Sequence, residues 1–173
     1  MDFLNTIKDR IPDYAKDVRL NLDGTISRSS LDKTDAVGVA LAAAYACRNK
    51  FLVDTIRASG ELSDTDVNAV LTAAALMGMN NVWYPYVEMA ADDDLSTQRA
   101  ELRMNAYATH GGVDKKRFEL FALSASIIGK CHFCIGSHYK MLKENGFTVQ
   151  QLRDVGRIAA TVAAAANVLA IES

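Results

Sequence analysis

Only two prolines, Pro12 and Pro85, interrupt 173 residues, and the stretches between and beyond them are rich in alanine, as in Leu41-Ala-Ala-Ala-Tyr-Ala-Cys47 and Ile158-Ala-Ala-Thr-Val-Ala-Ala-Ala-Ala166. Alanine is the residue most easily placed in a helix and proline the least, so little room is left for strands and an all-α fold follows. Side chains able to accept from the free amides of a first turn mark helix starts at Thr34-Asp35, Ser63-Asp64, Asp114 and Thr148. Together with the apolar spacing they predict a short helix before Pro12, another from Pro12 to about Leu22, and helices near 34–48, 50–59, 64–77, 79–90, 96–106, 114–128, 131–145 and 148–171. Gly129 suits the left-handed position that closes the helix begun at Asp114. An offset of 51 residues relates Ser63-Asp64 and the helix to Gly78 with Asp114 and the helix to Gly129. A duplicated two-helix unit and chance agreement between alanine-rich helices both account for it.

No linker divides these segments, and Asp92-Asp-Asp-Leu95 reads as a solvated turn, so residues 1–173 are expected to form a single compact domain. A chain of this length buries roughly 70% of its unfolded surface and needs no disulfide to fold. Hydrophobic residues at 50% and charged residues at 23% argue against disorder and against a membrane protein. A net charge of −2 with no Lys/Arg block provides no field for phosphate backbones, so nucleic acid is not an expected partner. Met1 to Arg10 interleaves charge with apolar residues and lacks the apolar core of a secretory signal. The most apolar run, Ile158 to Ile171, is interrupted by Thr161 and Asn167 and falls short of the ~20 residues that span a bilayer. A cytoplasmic protein is expected.

Three cysteines are present. Cys47 reads as a small buried apolar residue. Cys131 and Cys134, in Cys131-His-Phe-Cys-Ile-Gly-Ser-His138, read differently, because in a reducing cytosol such a close pair is more often redox-active or metal-binding than structural. On a helix advancing roughly 100° per residue, positions 131, 134 and 138 fall within an arc of about 60°. The thiolate is the reactive form of cysteine, and a helix N-terminus favours negative charge. His138 lies four residues after Cys134 and can take that thiol's proton; helix-dipole reasoning alone favours Cys131 as the more acidic thiol. A Cys-x-x-Cys pair closes a small ring, so oxidation of one sulfur can be resolved by the other.

Glu119, set among apolar neighbours on the preceding helix, faces the thiol helix if the two pack antiparallel, and could then orient His138; the plain alternative is a surface ion pair. His132 points about 100° away from Cys131 and reads as an exposed helix-start residue. His110, before Gly111-Gly112, reads as a turn residue. Cys131, Cys134 and His138 would also supply three ligands of a zinc site, but no fourth is evident and three on one helix strain a tetrahedron. A thioredoxin fold is disfavoured because the strands that would precede the motif are missing.

With these residues in view, the chain resembles the AhpD-like alkyl hydroperoxide reductases of the carboxymuconolactone-decarboxylase-like superfamily, over nearly its whole length. The likeness is carried by Pro12-Asp-Tyr-Ala-Lys-Asp-Val-Arg-Leu-Asn-Leu22, Met77-Gly-Met-Asn-Asn-Val82, Leu102-Arg-Met-Asn105 and Phe118-Glu-Leu120 leading into Cys131, Cys134 and His138. The resemblance implies an all-α subunit in a homotrimer or higher homo-oligomer, with alkyl hydroperoxidase activity on organic hydroperoxides. It further implies an adaptor role, in which the peroxiredoxin AhpC is returned to its dithiol state by electrons from dihydrolipoamide. That lipoyl group is borne by a 2-oxoacid dehydrogenase acyltransferase and recharged by dihydrolipoamide dehydrogenase; no tightly bound cofactor is implied. By position, Cys134 would be the peroxidatic thiol, Cys131 its disulfide partner, and Glu119 with His138 the proton relay. Where some relatives carry a histidine immediately before the second cysteine, this chain has Phe133, so His132 inherits no role. A non-redox enzyme of the decarboxylase type, and a zinc-binding or redox-sensing module, are the rival readings.

Overall fold

The computed structural model describes residues 1–172, and the regular elements among them are all helical. Helix α1 (Asp2–Lys8) is followed by a 3-10 turn (Asp13–Ala15), α2 (Lys16–Leu22) and a π turn (Asp23–Ser27). Then come α3 (Lys33–Ala46), α4 (Lys50–Arg57), α5 (Asp64–Ala90) and the short α6 (Asp93–Ser96). A 3-10 segment (Asn105–Gly112) leads to α7 (Lys115–Gly129), α8 (His132–Glu144) and α9 (Val149–Ile171).

The core is built around α3. Every residue from Ala36 to Ala44 is buried, and a helix apolar on all sides is stable only when other helices surround it. Helices α4, α5, α7 and α9 do so. Phe118 and Phe121 of α7 are wholly buried in this core, each contributing on the order of 2–3 kcal/mol through apolar burial.

The capping residues Ser63, Asp114 and Thr148 act as their types dictate. Ser63 and Thr148 each form a reciprocal capping box, with Asp66 and Gln151, and the Asp114 carboxylate accepts from the Arg117 amide at 3.1 Å. Thr34-Asp35 does not start its helix; Asp32 is the cap of α3, and Asp35 instead accepts from Arg117 Nε at 2.7 Å. Arg117 Nη1 also donates to Asp66 at 2.6 Å, tying the starts of α3, α5 and α7 together. Burial pushes the Asp35 carboxyl up. At Asp66 burial acts upward too, but bonds from Ser63 and Arg117 outweigh it and hold that carboxyl below its usual range.

Three further expectations are corrected. Segments 64–77 and 79–90 are one continuous helix, α5, because the space beside Gly78 is open and no packing demands a break; an interior glycine costs only about 1 kcal/mol. No helix spans 96–106. The chain is capped earlier, at Asp92, and leaves α6 through Thr97, and 99–103 bury too little apolar surface to stabilise another helix. Finally, the left-handed residue after α7 is Lys130 (φ 53°), not Gly129. Gly129 is needed for closeness instead: a Cβ there would lie 2.2 Å from Asn81 Nδ2, the amide that donates to the Ala125 carbonyl.

Helices α5 and α7 run side by side in the same direction, joined at their starts by Asp66–Arg117 and near the Asn80–Cys131 approach at the other end. Both contacts link residues 51 apart, the register that copies of a duplicated unit would adopt if packed alongside each other. The first segment runs straight on to Ala90, whereas the second turns back at Lys130. Beyond Gly78, α5 leaves Val82, Tyr86 and Met89 exposed.

Helix α9 is long and apolar enough, by length and composition, to cross a bilayer. Here it lies against α2, α3 and α7 as a core helix. Its first turns carry Asp154, whose buried carboxylate accepts from the Ser30 amide and hydroxyl at 2.8 Å each, from Arg157 at 3.0 Å and from Arg153 at 3.1 Å. Burial acts upward on this carboxyl, but the Ser30 bonds first, and then the two arginines, hold it far below the ordinary carboxylate range. A folded-state value below the unfolded one stabilises the fold above the unfolded value, about pH 4, and that stability is lost as acid titrates the folded carboxylate. Asp154→Ala is therefore expected to cost about 2–3 kcal/mol at neutral pH. In urea titrations at pH 7 and pH 3, the gap between wild type and variant should narrow at the lower pH.

Candidate functional site

The site is assembled from α5, the 3-10 segment, α7 and α8. The left-handed Lys130 reverses the chain, so α8 folds back against α7 and Glu119, four residues into α7, comes to face the middle of α8. Cys131 is the cap of α8, its sulfur accepting from the Cys134 amide at 3.2 Å. Cys131 and Cys134 are joined as a disulfide with their Cα atoms 5.3 Å apart. Both are buried, at 0% and 3% exposure. Cys131 Sγ also lies 3.8 Å from the Asn80 carbonyl oxygen. A disulfide sulfur has no proton to donate there; a reduced thiol would.

Beside the disulfide, His138 and Glu119 are both buried and paired, with Nδ1 2.5 Å from Glu119 Oε2. A carboxylate against Nδ1 assigns the ring proton to that nitrogen, so in the neutral ring Nε2 carries the lone pair. Nε2 lies 3.2 Å from Met77 Sδ, a soft neighbour that neither donates a proton nor carries charge. The other carboxylate oxygen, Oε1, accepts from the hydroxyl of Tyr107. Four segments of chain thus converge on one disulfide and one shared proton.

Cys131, Cys134, His138 and Glu119 are therefore brought together. His132 is not part of this group: it opens α8 with its side chain largely exposed and its Nδ1 3.0 Å from Glu88 Oε1. Phe133, at 59% exposure, stacks on Tyr84 with ring centroids 4.3 Å apart. The two line a groove of about 560 Å³ with Trp83 and Val87, beside the start of α8. His110 has φ 50° and packs near Tyr107 and Phe118. Cys47 is a free, half-buried thiol at the end of α3, pushed up by burial. Sequence reasoning missed two participants. Met77 at least lies in the stretch Met77 to Val82 that carries the family likeness, whereas Tyr107 belongs to no helical pattern that could have singled it out.

Chemically, a buried pair of sulfurs that can be bonded or free is a two-electron store. The adjacent carboxylate–imidazole pair offers a proton acceptor whose orientation is set from behind.

Comparison with known proteins gives the same direction. Residues 93–172 match the model of the carboxymuconolactone decarboxylase family. The chain is 42% identical over 175 residues to the alkyl hydroperoxide reductase AhpD of Coxiella burnetii (strain RSA 493 / Nine Mile phase I), covering 98% of each. It is 42% identical over 172 residues to that of Maricaulis maris (strain MCS10), covering 98% of this chain and 99% of the relative. With the Rhodospirillum centenum (strain ATCC 51521 / SW) protein of the same name the identity is 40% over 172 residues, 98% and 92% of the two chains.

Proposed function

Because the chain belongs to the AhpD family of alkyl hydroperoxide reductases, we propose that it is a peroxide-acting oxidoreductase that cycles Cys131 and Cys134 between dithiol and disulfide. The observation that carries this reading is the Cys131–Cys134 bond beside the buried Glu119–His138 pair.

In the reduced state, His138 Nε2 takes the proton of Cys134, and Nδ1–H stays donated to Glu119. The Cys134 thiolate attacks the outer oxygen of an organic hydroperoxide; the O–O bond breaks, the alcohol leaves with a proton, and Cys134 is left as sulfenic acid. The Cys131 thiol then attacks that sulfur and water departs, leaving the disulfide. Thiol–disulfide exchange with a dithiol, dihydrolipoamide in this proposal, returns two electrons and two protons and releases oxidised lipoamide. The Cys131/Cys134 dithiol so regenerated instead reduces the disulfide of a peroxiredoxin such as AhpC in the adaptor role, and is itself left as the disulfide. The choice of Cys134 as nucleophile has local support: the Asn80 carbonyl facing Cys131 favours that sulfur as a protonated thiol, offsetting the helix N-terminus. The cycle needs a reducing compartment such as the cytoplasm. The apolar groove of Trp83, Val87 and Phe133 is suited to an alkyl or lipoyl chain, and the exposed Val82, Tyr86 and Met89 offer apolar surface that a homo-oligomer would bury.

The test supplies dihydrolipoamide dehydrogenase, lipoamide and NADH, and follows NADH oxidation on adding an organic hydroperoxide, with and without the peroxiredoxin. Peroxide-dependent oxidation in the first arm supports the peroxidase, and acceleration in the second supports the adaptor. No oxidation in either arm would remove both.

A further inference from the structure

The geometry points to Tyr107 as a positioning residue: its phenol holds one oxygen of the Glu119 carboxylate and so sets how readily the Glu119–His138 pair takes up a second proton. Glu119 is buried, and its two oxygens are divided between two donors, His138 Nδ1 on Oε2 and the Tyr107 hydroxyl on Oε1. Tyr107 is the member of the site contributed by the 3-10 segment Asn105–Gly112, separate from the helices that carry the sulfurs.

That segment is held firmly. Gly111 sits at φ 62° with its Cα so near α5 that a Cβ would lie 2.4 Å from Ala69 Cα, and its carbonyl accepts from Asn68 Nδ2 at 3.0 Å. The Tyr107 ring packs edge-on to Phe118 with centroids 5.3 Å apart. The phenol is thus delivered to the carboxylate with little freedom to leave.

A hydrogen bond to an ionised carboxylate favours the charged form. With one proton shared, the pair is an anion; with two it is neutral. Tyr107 stabilises the first against the second, so its loss raises the pair's proton affinity. The other groups facing the pair do not supply an alternative. Met77 on α5 is uncharged, the α8 sulfurs are bonded to each other, the His110 ring packs against Tyr107 and Phe118, and Arg117 on α7 pairs with Asp35 and Asp66. The consequence for turnover rests on His138 acting as the base; the effect on the pair does not.

The oxidised protein, in which neither Cys131 nor Cys134 titrates, isolates the effect. The His138 ring signals, assigned against His110→Gln and His132→Gln variants, are followed by NMR over pH in wild type and Tyr107→Phe. The titration midpoint is expected to rise by about one pH unit in the variant, a tenfold gain in proton affinity. A midpoint that stays in place or moves down overturns the proposal. Site-specific replacement of Tyr107 by 3-fluorotyrosine, a stronger donor of nearly the same shape, covers the case in which Tyr107→Phe does not fold, and should move the midpoint the other way. A role in packing alone would leave the midpoint unmoved in both variants. If the midpoint moves as expected while the pH profile of lipoamide-coupled turnover does not, the proposal stands and the relay assigned to His138 falls.

Discussion

A Cys134→Ser variant is expected to lose lipoamide-coupled peroxidase turnover by on the order of a thousandfold or more, because a serine hydroxyl cannot pass through the sulfenic acid on which the cycle depends. Cys131→Ser should behave differently. Its Cys134 can still attack the peroxide once, but the product has no partner sulfur and stays as sulfenic acid. Rapid-quench measurements should show one equivalent of alcohol per protein in Cys131→Ser and none in Cys134→Ser, and a sulfenic-acid probe should label only the former. The reverse pattern would exchange the roles of the two cysteines, and full turnover in Cys134→Ser would remove the thiol mechanism. Serine is close to cysteine in size, and at the cap position 131 its hydroxyl can accept from the Cys134 amide as the sulfur does; matched unfolding temperatures would make the comparison fair.

His138→Ala is expected to slow turnover at neutral pH by about 100- to 10,000-fold, the range for removing a positioned base. The loss should shrink as pH rises, because solvent hydroxide then forms the Cys134 thiolate without help. The variant also strands Glu119, a buried carboxylate left with the Tyr107 hydroxyl as its partner among the described residues. Some loss of stability is expected with it, about 1–3 kcal/mol. Alkylation of reduced Cys134 by iodoacetamide as a function of pH separates the two effects. A profile unchanged from wild type would show that His138 is not the base, whatever happens to stability.

Much of this was readable in the chain itself. The alanine-rich run of α3 predicts a helix, and the caps at Ser63, Asp114 and Thr148 mark their helices because capping is a local bond between neighbours in sequence. The Cys131, Cys134, His138 spacing likewise places three side chains along one face from helical geometry alone. Other features were hidden because the deciding atoms are distant in sequence. Gly129 reads as the left-handed residue until Asn81 is seen pressed against it, leaving Lys130 to make the turn. Gly78 reads as a helix end until the empty space beside it is seen. Nothing near Tyr107 in sequence hints that its hydroxyl reaches Glu119.

The sequence by itself determined the all-helical class, most helix starts and the placing of Cys131, Cys134 and His138 along one helix face, because propensity, capping and the 3.6-residue repeat act within a few residues of chain. Only the tertiary structure decided that Glu119 turns inward to His138 rather than out to solvent, that Met77 and Tyr107 complete the surroundings of that pair, and that His132 stays outside. Those choices depend on how α5, α7, α8 and the 3-10 segment pack, and packing is settled by the fit of side chains brought from positions tens of residues apart.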